Sequence, residues 1–122
     1  MRLTRSERGQ VDAAILATLG RSPRGRGPSG ARRWMTAYQI LSLMARQSRE
    51  MLQRRYGPSG QGARWFFGAA SAVATACRRL SRSRGHVVAI DYLDTRRIEI
   101  TITGQPAPAV PSYSPCGIYR LR

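Results

Sequence analysis

Lysine is absent from this sequence: all 21 basic residues among its 122 are arginine, and only six residues are acidic. The formal net charge is +15, a self-repulsion that calls for a polyanionic partner or for screening ions. A GC-rich genome favours arginine codons and can account for the missing lysine, but not for the missing acids. Arginine also suits bidentate contacts to phosphate and guanine, and stacking on bases. Cysteine is nearly absent as well. Cys77 and Cys116 are too few for a disulfide-dependent scaffold in a chain of this length, and both are read as reduced. With one histidine, His86, and two cysteines, the candidates fall short of the four ligands of a structural zinc site. The carboxylates Glu7, Asp12, Glu50, Asp91, Asp94 and Glu99 are scattered, without a spacing that would hold a nuclease metal. A Cys77–His86 nucleophile and base pair is the best the sequence offers an enzyme. The expectation is a chain with no catalytic residues, no metal and no cofactor. No window of about 18 apolar residues exists to span a membrane. The start, Met1 to Thr4, runs into a polar segment rather than a signal-peptide core, so a cytoplasmic, nucleoid-associated protein is expected.

What is present reads as one domain, 1–122. Thr4 and Glu7 have capping-box spacing, and Val11, Ile15, Leu16 and Leu19 follow at helical period up to Gly20. Residues 21–33 are dominated by Arg, Gly, Pro and Ser, a composition that cannot offset its ordering entropy, and a flexible loop is expected. A second, long amphipathic helix is signalled by Thr36 as N-cap with Gln39, by the staple pair Met35 and Ile40, and by Leu43, Met44, Met51, Leu52 and Tyr56 on its apolar side. It should end at Gly57-Pro58, ahead of a second flexible loop, 57–63. A third helix is expected from about Phe67 or Ala69 to Ser83. Val73, Ala76, Cys77 and Leu80 form its core face, and Ser71, Thr75, Arg78 and Arg82 share a different one. Beyond Gly85 the period becomes two. Val88, Ile90 and Tyr92, then Ile98, Ile100 and Ile102, flank the turn 93–96, which predicts a β-hairpin. The segment 104–117, with four prolines, should be irregular, after which Ile118 and Leu121 could return a strand to the hairpin.

The order of three helices and a hairpin resembles the winged helix-turn-helix family of DNA-binding domains. The likeness covers roughly residues 4 to 103. It is carried by Met35-Thr36-Ala37-Tyr38-Gln39-Ile40-Leu41, which resembles the start of the helix preceding a recognition helix. Ser71-Ala72-Val73-Ala74-Thr75-Ala76-Cys77-Arg78-Arg79-Leu80, with Arg82, Arg84 and Gly85, resembles a recognition helix running into a wing. The connection from Gly57 to Phe66 is longer than the turn of about three or four residues in the parent motif. The resemblance implies an α+β fold, a three-helix core with a C-terminal β-hairpin wing. It also implies that Ser71, Thr75 and Arg78, with Ala72, face base edges in the major groove, while Arg79, Arg82 and Arg84 contact phosphate. Arg96 and Arg97 would serve the wing.

The expected function is therefore nucleic-acid binding, duplex DNA ahead of RNA, by a transcriptional regulator or accessory protein of phage, plasmid or bacterial origin. The second helix is a candidate homodimer surface. The competing expectation is a phage-encoded interaction protein, such as an anti-CRISPR protein, that binds a host nucleoprotein complex. A third is an RNA-binding protein using Arg24-Gly25-Arg26-Gly27 and the aromatics Trp34, Trp65, Phe66 and Phe67. The bland alternative for every arginine named is a solvated outward face.

Overall fold

The computed structural model of the chain describes residues 3–21, 33–56, 68–83, 85–93 and 116–122. Helix α1, Arg5–Gly20, starts where its capping box lies: the Thr4 hydroxyl accepts from the Glu7 N–H (3.1 Å) and the Glu7 carboxylate accepts from the Thr4 N–H (2.9 Å). Its inward stripe is Val11, Ile15, Thr18 and Leu19. Thr18 is tolerated there because its hydroxyl donates to the Ala14 carbonyl (2.7 Å). A two-residue strand, β1 (Met35–Thr36), passes directly into helix α2, Ala37–Leu43. Thr36 and Gln39 form a second capping box, with bonds of 2.8 and 3.2 Å.

The single long helix expected from residue 36 to Gly57 is instead two. Helix α2 stops at Leu43, Met44 is extended (φ −71°, ψ 162°), and α3 begins again at Arg46 and runs to Tyr56. The apolar pattern carries no trace of the break, since Ile40, Leu41, Met44, Met51 and Leu52 would share one side of a continuous helix too. Distant donors stabilise it. Two carbonyls orphaned at the end of α2 are satisfied by guanidinium groups, Ser42 O by Arg49 (2.9 Å) and Leu43 O by Arg21 (3.2 Å). Met44 meanwhile stays in the core.

Helix α4, Ala69–Arg82, fills the range expected of the third helix. It is the hub of the core, packing on α1, α2, α3 and strand β2. Ala69, Ala70, Val73, Ala76, Cys77 and Leu80 are its buried residues, and the small ones let neighbours approach closely. Gly85 (φ +95°) and His86 (φ +44°) then reverse the chain, with the His86 N–H donating to Ser83 O (3.0 Å). Glycine is required at 85 because a side chain in that conformation is strained.

Strands β2 (Val88–Leu93) and β3 (Cys116–Leu121) pair antiparallel over their full length, and β1 pairs with the other edge of β3, giving the order β1-β3-β2. Val88, Ile90, Tyr119 and Leu121 face the helices. The Tyr119 ring lies over Gly117, where any Cβ would collide with the tyrosine hydroxyl. The fold is α+β, a helical core carrying an antiparallel sheet. The anticipated returning strand is present, with Ile118 and Leu121 in it. It also takes in Cys116 and Gly117, assigned from sequence to the irregular segment. The hairpin arm 98–102, residues 104–115 and loop residues 22–32 and 57–63 lie outside the described residues. None of the described helices is long and apolar enough to cross a membrane.

Candidate nucleic-acid interface

Helix α4 is two-faced. At about 100° per residue, Ser71, Thr75, Arg78 and Arg82 fall within one narrow stripe, and Val73, Ala76 and Leu80 point to the opposite side. Burial follows that division: Thr75, Arg78 and Arg82 are exposed, Ser71 is half-buried, and the core face is closed. The stripe therefore looks directly away from the core that holds it, on a helix with no carboxylate of its own. Arg78 donates to the Thr75 hydroxyl one turn earlier (3.2 Å), which aligns two of the stripe's polar groups. Arg82 has no side-chain partner among the described residues. The last turn of a helix also favours a cation on electrostatic grounds, so Arg79 and Arg82 oppose the α4 dipole in addition to anything else they do.

Arg79 differs from the others. It lies on the flank of the stripe and grips Asp12 of α1 with two bonds, 2.8 and 2.6 Å. The paired carboxylate raises the Arg79 pKa and keeps its fork occupied. As the protein stands, this arginine ties α1 to α4 rather than facing outward unpaired. Arg84, Arg96 and Arg97 lie outside the described residues. The chain does leave the sheet at Leu93 and re-enter at Cys116, its direct partner across the ladder.

Cys77 is fully buried, and burial pushes its thiol up to about 12, so no thiolate forms near neutral pH. His86 sits on the surface with Nδ1 2.7 Å from the Ser81 carbonyl, an arrangement in which Nδ1 donates. A buried, protonated thiol makes a poor nucleophile, which removes the physical basis for a Cys77–His86 pair.

One cluster escaped the sequence reading. The sequence offers Trp34 only as one aromatic of an RNA-binding surface and does not single out Arg120. The antiparallel register that pairs Met35 with Tyr119 sets Trp34 across from Arg120, and the guanidinium lies over the indole ring at 4.7 Å from its centroid. Both sit on the sheet face turned away from the helices. Only the β1–β3 pairing could have revealed them, and a two-residue strand leaves almost no signal in sequence.

Taken together, the described residues define an α+β domain whose central helix presents a polar, arginine-bearing stripe to solvent. No protein-family model, curated protein or solved structure matches the chain.

Proposed function

We propose that this protein is a DNA-binding protein of winged helix-turn-helix type, with α4 as the element that enters the major groove. The observation that carries the reading is the stripe Ser71, Thr75, Arg78 and Arg82, opposite the buried face of the hub helix, in a chain of net charge +15. A helix packed on its inner side against four other elements presents its outer face rigidly, which base recognition requires. Ser71, Thr75 and Arg78 supply the donors and acceptors for base edges, and Arg82 a phosphate contact. The turn through Gly85 leads into β2, and the connection between β2 and β3 carries Arg96 and Arg97 where a wing would meet the backbone. A regulator or accessory protein on the nucleoid is the corresponding cellular role.

The test is fluorescence anisotropy of matched duplex DNA, single-stranded DNA and RNA across a salt series, with Arg78→Ala/Arg82→Ala beside the wild type. Duplex should bind tightest, with log K falling against log salt at a slope of about −4 to −6, as for roughly five phosphates. The double variant should flatten the slope by about one or two units. Duplex binding indifferent to both arginines would remove α4 from the interface. Weak generic binding alongside a stable complex with an acidic protein would favour the host-complex inhibitor instead.

A further inference from the structure

The sheet face turned away from the helices is a second surface, independent of the α4 stripe. Across it run Trp34, Arg120 and Ala89 in one row, with Val87 and Arg122 beside them, joined by the Arg122 N–H bond to Val87 O (3.0 Å). Arg120 is unusual among the described arginines. Its guanidinium lies over an aromatic ring rather than against a carboxylate, and its buried Nε has no hydrogen-bond partner among the described residues. Among the described residues it donates no hydrogen bond, and the ring contact with Trp34 is the interaction that positions this cation. An aliphatic residue would cover the Trp34 ring without a buried donor that lacks a partner among the described residues. Trp34 itself stays 36% exposed, so the indole is partly open as a stacking surface. Arg120 and Arg122 are two positions apart on one strand face, about 6.6–6.8 Å along it, close to the step between successive phosphates of an extended single strand. Val87 (41% exposed) adds an apolar margin.

We infer that this face binds single-stranded DNA, with one base stacked at Trp34 and neighbouring phosphates on Arg120 and Arg122. Charge complementarity and the open aromatic select that occupant: a duplex buries its base faces and cannot stack on Trp34, whereas a single strand offers them. With duplex on α4, the protein would favour a junction where a duplex opens into a single strand.

The experiment uses Trp65→Phe protein, in which Trp34 is the sole tryptophan. Titrating it with oligothymidylate should quench the fluorescence, and labelled oligothymidylate should lose about tenfold or more in affinity with Trp34→Leu or Arg120→Ser. Trp34→Phe should retain much of that affinity, which separates stacking from misfolding. Arg78→Ala/Arg82→Ala should leave the quenching intact, and the sheet variants should leave duplex affinity intact, so the two surfaces fail separately. Absence of quenching, or single-strand affinity indifferent to Trp34 and Arg120, would overturn the inference. So would quenching by oligouridylate with none by oligothymidylate, because the occupant would then be RNA.

Discussion

Helices α3 and α4 are both amphipathic and both rich in arginine, yet they spend it differently. On α3, Arg46 pairs with Glu50 (2.8 Å), Arg49 closes the end of α2 through Ser42 O (2.9 Å), and Arg55 reaches Glu7 of α1 (2.8 Å). These three arginines serve the fold, and Arg54 alone of the α3 arginines is exposed without a hydrogen-bond partner among the described residues. On α4, among the described residues, only Arg79 is neutralised, while Arg78 reaches its neighbour Thr75 and Arg82 reaches no partner. Net charge alone would rank the two helices as equal candidates for a polyanion. The pairing pattern separates them, because a guanidinium already bonded to a carboxylate must give up that bond before it gains a phosphate.

The largest expected effect tests the structural half of the contrast. Leu52 is the fully buried anchor of α3, and Leu52→Ala should cost about 2–5 kcal/mol of stability, read by urea unfolding. An unchanged midpoint would mean that α3 is not part of the cooperative core. Next comes the binding half. Arg78→Ala/Arg82→Ala should lose about ten- to a hundredfold in duplex affinity while its melting curve falls only slightly, on the scale of 1–3 kcal/mol for a specific contact. Arg46→Ala/Arg54→Ala removes the same charge from α3 and should lose much less. Equal losses would reduce the interface to net charge and erase the distinction. Smaller again, Arg49→Ala should cost about 1 kcal/mol of stability by leaving the Ser42 carbonyl without its donor, with duplex affinity nearly unchanged. Asp12→Asn then asks whether the clamp restrains binding. Freeing Arg79 beside the stripe should tighten duplex binding and steepen its salt slope by about one unit. A looser complex would mean that the α1–α4 tie matters more for holding α4 in place.

The elements most legible in the sequence were those fixed by neighbours in the chain. Both capping boxes, Thr4 with Glu7 and Thr36 with Gln39, form as their spacing required, because each closes within three residues. The two faces of α4 follow from the helical period for the same reason. What the sequence hid was long-range. The break at Met44 rests on Arg21, 22 residues before the carbonyl it binds, and the commitment of Arg79 rests on a carboxylate 67 residues away. Local pattern cannot report which distant acid meets which arginine. Arg79 was therefore grouped with the open arginines of its helix, and the Trp34–Arg120 stack went unseen.

The smallest effect concerns the acid limb of stability and returns to the arginines that serve the fold. The Glu7 carboxyl is held below the ordinary glutamate range, first by the Thr4 N–H of the capping box and further by Arg55, with partial burial opposing. Glu50 is held low chiefly by its bond to Arg46. A depressed folded-state pKa means that the contribution is complete above the unfolded pKa and is lost as pH falls through the lower, folded value. Thermal melts should therefore decline through that acid window. Glu7→Gln sharpens the point: the amide oxygen can still accept from the Thr4 N–H, so the cap survives, but the charge that holds Arg55 is gone. The variant should lose part of this acid dependence and sit slightly lower at neutral pH, whereas Glu50→Gln, on the exposed side of α3, should change the curve least. If Glu7→Gln kept the full acid dependence, the Arg55 bond between α1 and α3 would be idle in solution, and α3 would differ from α4 less than its pairing implies.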